Sequence, residues 1–378
     1  MTVSVVHVCD RFGVAGSSIH GVSRLFSWWF PRYDRARYDV SLVGLKRPEP
    51  ASELLAREGV PVHHLNRGRF DPRILSDLVA LARARRARIL HVHGYAAADF
   101  GRLAARRVGA ALVLHEHFAD PRMPAYQAWA DRLLARYTDR AIAVSGSTRD
   151  FLVDERHVPA DRVRLIWNGA PLAEFAHPPA GARESVRREL GLSPETLVVG
   201  TIGRLSEQKG QRDLLAAAAQ VAREFRDVRF VLVGDGDLRA ELEAQADALG
   251  LGDRIVFAGH RADIPAVLAA IDVVCISSTY EGTPLALFEA MAAGKPIVST
   301  AVDGCREVLS DQRTGLLTPP RDPASLARAL VRLRRDPELR RSLAAEAAAE
   351  SSRYDIAECV RRIESLYEEV LAERGAAA

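Results

Sequence analysis

Short runs of β-branched and other apolar residues recur along this chain. Each is followed by a turn and then by a longer Ala/Leu/Arg stretch whose apolar positions return every three or four residues. In the first half the runs fall at residues 3–8, 40–45, 89–93, 111–115, 140–144 and 163–167; in the second they fall at 197–202, 229–233, 254–258, 273–277 and 296–299. Continuous apolar strands separated by amphipathic helices predict an α/β fold with parallel sheets covered by helices on both faces. Between the two sets lies NGAPLAEFAHPPAGARES, residues 168–185, whose Pro, Gly and Ala content reads as a domain linker. The last stretch, residues 354–373, carries Ile356, Val360, Ile363, Leu366 and Tyr367 at helical spacing. A terminal helix with such a stripe has to dock on another element.

A length of 378 residues exceeds one ordinary core and agrees with two domains. No apolar run approaches the ~20 residues of a membrane span, and the first residues read as a buried strand rather than a secretory leader, so a cytoplasmic protein is expected. Cys9, Cys275, Cys305 and Cys359 have no paired spacing and read as reduced core thiols rather than disulfides or a metal site. The net charge of +3 conceals an asymmetry: residues 1–169 hold 26 Arg/Lys against 17 Asp/Glu, the remainder 26 against 32. A basic first half suits an acidic acceptor or peripheral contact with an anionic membrane, while dispersed arginines are more often solvated faces. Trp28, Trp29 and Phe30, with Arg24, Arg32, Arg35 and Arg37 nearby, offer one such membrane contact, against the plainer reading of a helix packed on its sheet. No nucleic-acid partner is expected.

In open parallel sheets, ligands bind beyond the carboxyl ends of the strands, where helix starts present unpaired N–H groups. Two segments there carry chemistry. In GTIGRLSEQKGQRDLL, from residue 200, a strand ends in Gly203, and Arg204 and Lys209 follow on a polar loop that opens a helix. Two cations beside free backbone donors suit a diphosphate, Arg through forked hydrogen bonds and Lys as a point charge. Lys209 is one of only three lysines among 52 basic residues, which favours a specific role. In SSTYEGTPLALFEAMAAGKP, from residue 277, Thr283 reads as an N-cap with Pro284 at the first helical position. Glu281 then lies on the loop and Glu289 in the second turn, leaning back towards the helix start, both expected at one mouth. Carboxylates accept from vicinal hydroxyls, and the intervening Gly282, Thr283, Pro284 and Leu285 backbone faces phosphate oxygens. Diphosphate cations beside hydroxyl-binding carboxylates describe a nucleoside diphosphate sugar.

These motifs, with AGKP at residues 293–296, resemble the retaining glycosyltransferases of the two-Rossmann-domain (GT-B) type, family 4, over essentially the whole chain. The resemblance implies two facing domains: residues 1–169 plus 356–378 on the acceptor side, the terminal helix crossing back, and residues 170–355 on the donor side. It implies that Arg204 and Lys209 bind the donor diphosphate, Glu289 the ribose and Glu281 the sugar hydroxyls, with Gly234 and Gly259 lining the base pocket. Arg204, Lys209, Glu281 and a histidine beside the sugar form the implied catalytic set. The alignment favours His117 over His115 for that histidine, although strand alternation sends both to one side. His93, with His115, is a weaker acceptor-side candidate. The loop with Gly13, Gly16, His20 and Gly21 resembles the family's glycine loop, but His20-Gly21 stands where a Gly-Gly pair is usual.

The expectation is therefore transfer of a sugar from a nucleoside diphosphate donor, UDP-linked by family frequency, to an unidentified acceptor hydroxyl with retention of configuration. No metal is expected, since Asp235 and Asp237 read as a turn and the cations carry the diphosphate. The resemblance also implies that the leaving phosphate takes the acceptor's proton. The alternatives are a nucleotide-sugar epimerase or hydrolase on the same scaffold, or a non-catalytic sugar-nucleotide binding protein.

Overall fold

The computed structural model describes residues 2–13 and 21–376. The chain forms two compact units, one built from the chain before Gly169 together with the segment from Ile356 onward, the other from Gly169–Asp355.

The first unit holds a seven-stranded sheet of β1 Val3–Cys9, β2 Tyr38–Gly44, β3 Val62–His64, β4 Ile89–His93, β5 Ala111–Glu116, β6 Arg140–Ala143 and β7 Val163–Leu165, in the order β3-β2-β1-β4-β5-β6-β7. Every pairing is parallel. The central strands β1, β4 and β5 are buried on both faces, which is why they read as unbroken apolar runs rather than as alternation. Helix Ile356–Ala376 belongs to this unit and buries Ile363, Leu366 and Tyr367 against it. Its polar face is tied down too: Glu364 accepts from the Asp34 N–H at 2.7 Å, and Glu369 meets Arg140 at 2.9 Å.

The second unit repeats the plan with β8 Leu197–Ile202, β9 Val228–Val233, β10 Ile255–Gly259, β11 Val273–Ile276, β12 Ile297–Thr300 and β13 Leu316–Thr318, all parallel, ordered β10-β9-β8-β11-β12-β13. Each sheet thus reverses its strand order once, between β1 and β4 and between β8 and β11. At such a switch point the loops leaving two neighbouring strands diverge and open a crevice.

Several expectations need correction. The apolar runs omit the three-residue edge strands β3 and β13, which gain their pairing from the neighbouring strand, not from local pattern. Within residues 168–185 the two units divide at Asn168 and Gly169; Ala170 is fully buried and bridges Asp355, Phe175 is buried in helix Leu172–Ala176, and residues 176–181 are exposed. Trp28, Trp29 and Phe30 are 8%, 0% and 0% exposed, so this group packs a helix on its sheet and presents nothing to a membrane. No helix of the described residues is long and apolar enough to cross one.

Candidate functional site

In the second unit the switch point sets the loop after β8 beside the loop after β11. Gly210 makes their approach possible. It sits at φ 61° between the turn Glu207–Lys209 and helix Gln211–Glu224, with the Ser277 carbonyl pressed where a Cβ would stand, so any side chain there meets both backbone strain and a clash. Two hydrogen bonds fasten the loops: Ser277 Oγ donates to the Lys209 carbonyl at 2.9 Å, and the Thr279 N–H donates to the Gln208 carbonyl at 2.8 Å.

On this frame the Lys209 ammonium lies 2.5 Å from Glu281 Oε1, which also accepts from Ser278 Oγ at 2.7 Å. Gln208 Nε2 reaches Glu281 Oε2 at 3.4 Å and the Tyr280 carbonyl at 3.3 Å, and Arg204 Nη2 donates to Gln208 Oε1 at 3.4 Å. Arg204, Lys209 and Glu281 therefore form one polar cluster, with Lys209 partly open to solvent and Glu281 almost covered. Gln211 holds the Arg204 carbonyl at 2.8 Å and so fixes the loop's path.

Helix Leu285–Ala292 starts one residue later than expected. Pro284 occupies the cap with extended backbone, and its carbonyl accepts the first helical bond from the Leu287 N–H at 3.0 Å. Glu289 is fully buried within this helix, and Gly282, Thr283 and Pro284 are buried with it. Gly304 lets a following helix press against the Gly282 carbonyl with no room for a Cβ, which fixes the loop in front of the helix start. The first N–H groups of that helix have no partner within it and point a partial positive charge outward.

Gly203, Gly234 and Gly259 sit together at the ends of β8, β9 and β10. The Gly203 N–H donates to the Val233 carbonyl at 2.9 Å and the Gly234 N–H to the Gly259 carbonyl at 2.8 Å. Asp235 accepts from the Gly236 N–H at 2.8 Å in the turn that precedes helix Arg239–Ala248.

The first unit holds the other candidates in an arrangement that reaches further than the sequence reading. Residues two apart on a strand share a face, so His91 and His93 on β4, and His115 with His117 at the end of β5, project together, joined by His7 on β1. One row runs His7 Nδ1 to His93 Nε2 at 3.1 Å and His93 Nδ1 to His117 Nε2 at 3.0 Å; the other joins His91 Nε2 to His115 Nδ1 at 3.2 Å. The rows stack, with His115 and His117 centroids 4.5 Å apart and His91 and His93 4.6 Å apart. The Tyr367 hydroxyl closes one end, 2.6 Å from His91 Nδ1 and 3.3 Å from His7 Nε2.

Burial pushes the His7 imidazole down to about 3 and holds His91, His93 and His115 well below the usual histidine range, so these four rings are neutral at pH 7. His93 and His115 are buried, and His117 alone of the five is not fully covered. The ring nitrogens of His93, His115 and His117 lie within 4.8 Å of one another, as do those of His7, His91 and His93. Both nitrogens of His93 are already engaged by neighbouring rings.

Of the glycine loop, Gly16 and His20 lie outside the described residues. The Gly13 N–H donates to Glu49 Oε2 at 2.8 Å and the Phe12 N–H to the same oxygen at 2.6 Å; Gly21 opens helix Gly21–Trp29.

Two family models cover most of the chain: "Glycosyltransferase Family 4" over residues 21–174 and "Glycosyl transferases group 1" over residues 182–350. The chain is 30% identical over 261 residues to an alpha-D-kanosaminyltransferase of Streptomyces kanamyceticus, which covers 68% of this chain and 66% of that protein. It is 30% identical over 277 residues to the UDP-Gal:alpha-D-GlcNAc-diphosphoundecaprenol alpha-1,3-galactosyltransferase of Escherichia coli, covering 70% of this chain and 71% of that one. The chain belongs to the group 1 glycosyltransferases. Its fold matches the crystal structure of Anabaena HepE in complex with UDP, with a TM-score of 0.83 and 26% identity over 98% of this chain and 100% of the other. Among group 1 glycosyltransferases the GT-B architecture of two parallel-sheet units is thus the one seen here.

Three residues that sequence reasoning passed over belong to the polar assemblies of this group 1 glycosyltransferase. Gln208 and Ser278 both donate to Glu281, the partner of Lys209, and His7 joins the imidazole rows. The signals were present as Gln-Lys adjacency on the phosphate loop, a Ser-Ser pair leaving β11, and two His-x-His strand ends flanking a histidine on β1.

Proposed function

We propose that this chain transfers a hexose from a UDP-linked sugar to an acceptor hydroxyl with retention of anomeric configuration. The single observation that carries the reading is the cluster of Arg204, Lys209 and Glu281 at the switch point of the second unit, beside the start of helix Leu285–Ala292. Negative charge develops on the departing diphosphate, and fixed cations with outward N–H groups stabilise that charge without reorganising during reaction. Arg204 and Lys209 hold the phosphates, Glu281 accepts from sugar hydroxyls, and Glu289 accepts from the ribose; Gly234 and Gly259 leave room for the base. In the first unit, His117 is the histidine this reading assigns to catalysis, with His93 and His115 as weaker acceptor-side candidates. The UDP complex of the similar HepE structure supports the choice of nucleotide.

No metal takes part in this scheme, because the two cations neutralise the diphosphate. The leaving phosphate itself accepts the acceptor's proton, so no side chain is assigned as a base. Four buried, unpaired cysteines support a reducing, cytoplasmic compartment.

The test is turnover with UDP-hexoses in the presence of EDTA, with the anomeric configuration of the product read by proton NMR. An α-linked product from an α-linked donor, formed at an unchanged rate with chelator, is expected. Inverted product would overturn retention, and loss of activity restored by a divalent ion would overturn the metal-free scheme.

A further inference from the structure

Helix Ala125–Leu134 is amphipathic in the inverted sense. Two of its polar residues, Gln127 and Asp131, are fully buried, while Tyr126, Trp129 and Leu133, at positions i, i+3 and i+7 on one stripe, are 43%, 70% and 52% exposed. Asp131 faces inward because it is gripped from two sides, by Arg102 and by Arg156, and Gln127 Nε2 donates to it at 3.1 Å. The buried charges thus fix the helix with its apolar stripe outward. Phe70, 69% exposed, extends the stripe: its ring lies 5.5 Å from that of Tyr126, and the Arg69 guanidinium stands over both, at 5.5 and 5.7 Å. A soluble surface rarely gathers a tryptophan, two other aromatics and a leucine in one place without a partner.

The charges around the patch select the partner. Arg69, Arg122, Arg132 and Arg136 are exposed along it. Of the nearby carboxylates, Asp71 is paired with Arg73 at 2.7 Å, and Asp120, held by the Tyr95 hydroxyl and the Arg122 N–H at 2.9 Å each, is the acid set against these four arginines. Two copies meeting through this face about a two-fold axis would set arginine against arginine. A surface of anionic lipid headgroups instead meets the arginines with opposite charge and admits the aromatic rings and Leu133 at the headgroup–acyl boundary.

We propose that this stripe is a membrane-docking surface for anionic bilayers, with Trp129 and Phe70 inserting at the interface and Arg132 and Arg136 contacting headgroup phosphates. It is not the Trp28–Phe30 group that serves this purpose, since that group is buried.

The experiment is co-sedimentation of the full chain with phosphatidylcholine vesicles with and without phosphatidylglycerol, together with quenching of tryptophan fluorescence by brominated lipid. Binding is expected to rise at least tenfold with the anionic lipid. It should fall at least tenfold in Phe70→Ser/Trp129→Ser, and by about fivefold for each of Arg132→Gln and Arg136→Gln. Bromolipid should quench the wild type and spare Trp129→Phe, which keeps an aromatic ring and so guards against a folding artefact. Absence of sedimentation with either lipid, quenching that survives in Trp129→Phe, or a concentration-dependent dimer abolished by Trp129→Ser would overturn the proposal, the last in favour of a second copy.

Discussion

Lys209 Nζ lies 2.5 Å from Glu281 Oε1, joining the loop after β8 to the loop after β11. The ammonium is therefore neutralised by a protein carboxylate in the absence of ligand, and a diphosphate that binds here shares or takes over that cation. Removing Glu281's charge is expected to separate two properties. Glu281→Gln should bind UDP at least as tightly as wild type, because its lysine is released, while turnover of a UDP-hexose falls at least tenfold through the lost hydroxyl acceptor. Calorimetry with UDP and a steady-state assay check this; UDP affinity falling in step with turnover would mean that Glu281 serves to hold the phosphate loop.

Glu289 is fully buried, so its replacement tests binding only if the fold survives. Glu289→Gln keeps the shape of the side chain and removes its charge. Donor affinity should weaken by about 1.5–3 kcal/mol, the range for hydrogen bonds to a charged group. Circular dichroism melting should show whether the helix Leu285–Ala292 stays intact. An unchanged dissociation constant for UDP would remove Glu289 from the ribose site.

The imidazole rows predict a pH-dependent stability whose sign follows from their burial. His7, His91, His93 and His115 stay neutral in the folded protein at pH values where an unfolded chain, titrating near the usual 6.5, has taken up protons. Stability is therefore full above about pH 6.5 and is lost as the pH falls from there towards 3, by up to about 1.4 kcal/mol per group per pH unit. Asp10, Asp99 and Glu116, raised by burial, act in the opposite direction at acid pH. Comparison with a neutral variant isolates the histidines: urea unfolding of His91→Gln at pH 7.5 and 5.5 should show a smaller loss between the two values than wild type, by about 1 kcal/mol. Equal losses would mean that the rows protonate without unfolding.

The group that fixes helix Ala125–Leu134 makes a separate prediction. Asp131 is fully buried between Arg102 and Arg156, and Arg156 also reaches Glu116. The two arginines hold the Asp131 carboxyl below its usual range in spite of its burial. Asp131→Asn leaves two buried guanidinium groups short of countercharge and should destabilise the protein by about 3–5 kcal/mol. Chemical denaturation measures the change; a loss under 1 kcal/mol would show that water or a shifted side chain replaces the carboxylate.

The two-sheet plan was legible because β1, β4, β8 and β11 are buried on both faces and write themselves as apolar runs. The edge strands β3 and β13 were not, since three residues paired on one side carry little local signal. That Arg204, Lys209 and Glu281 would share one end of the second sheet was legible, because the loops that carry them leave the two strands flanking the switch point. The direct pairing of Lys209 with Glu281 was not, for it depends on how closely Gly210 lets two loops approach. The outward stripe of Tyr126, Trp129 and Leu133 was hidden for a related reason: the burial of Asp131 is decided by Arg102 and Arg156, both distant in sequence.

The central claim is that Lys209 and Arg204 grip a diphosphate in the second unit. Isothermal titration calorimetry of UDP against wild type and Lys209→Ala tests it most directly. The account predicts one-to-one binding to wild type and a loss of about 2–4 kcal/mol, roughly 30- to 1,000-fold, in a folded Lys209→Ala. No heat with UDP, GDP, ADP or dTDP, or equal UDP affinity in the two proteins, would contradict it.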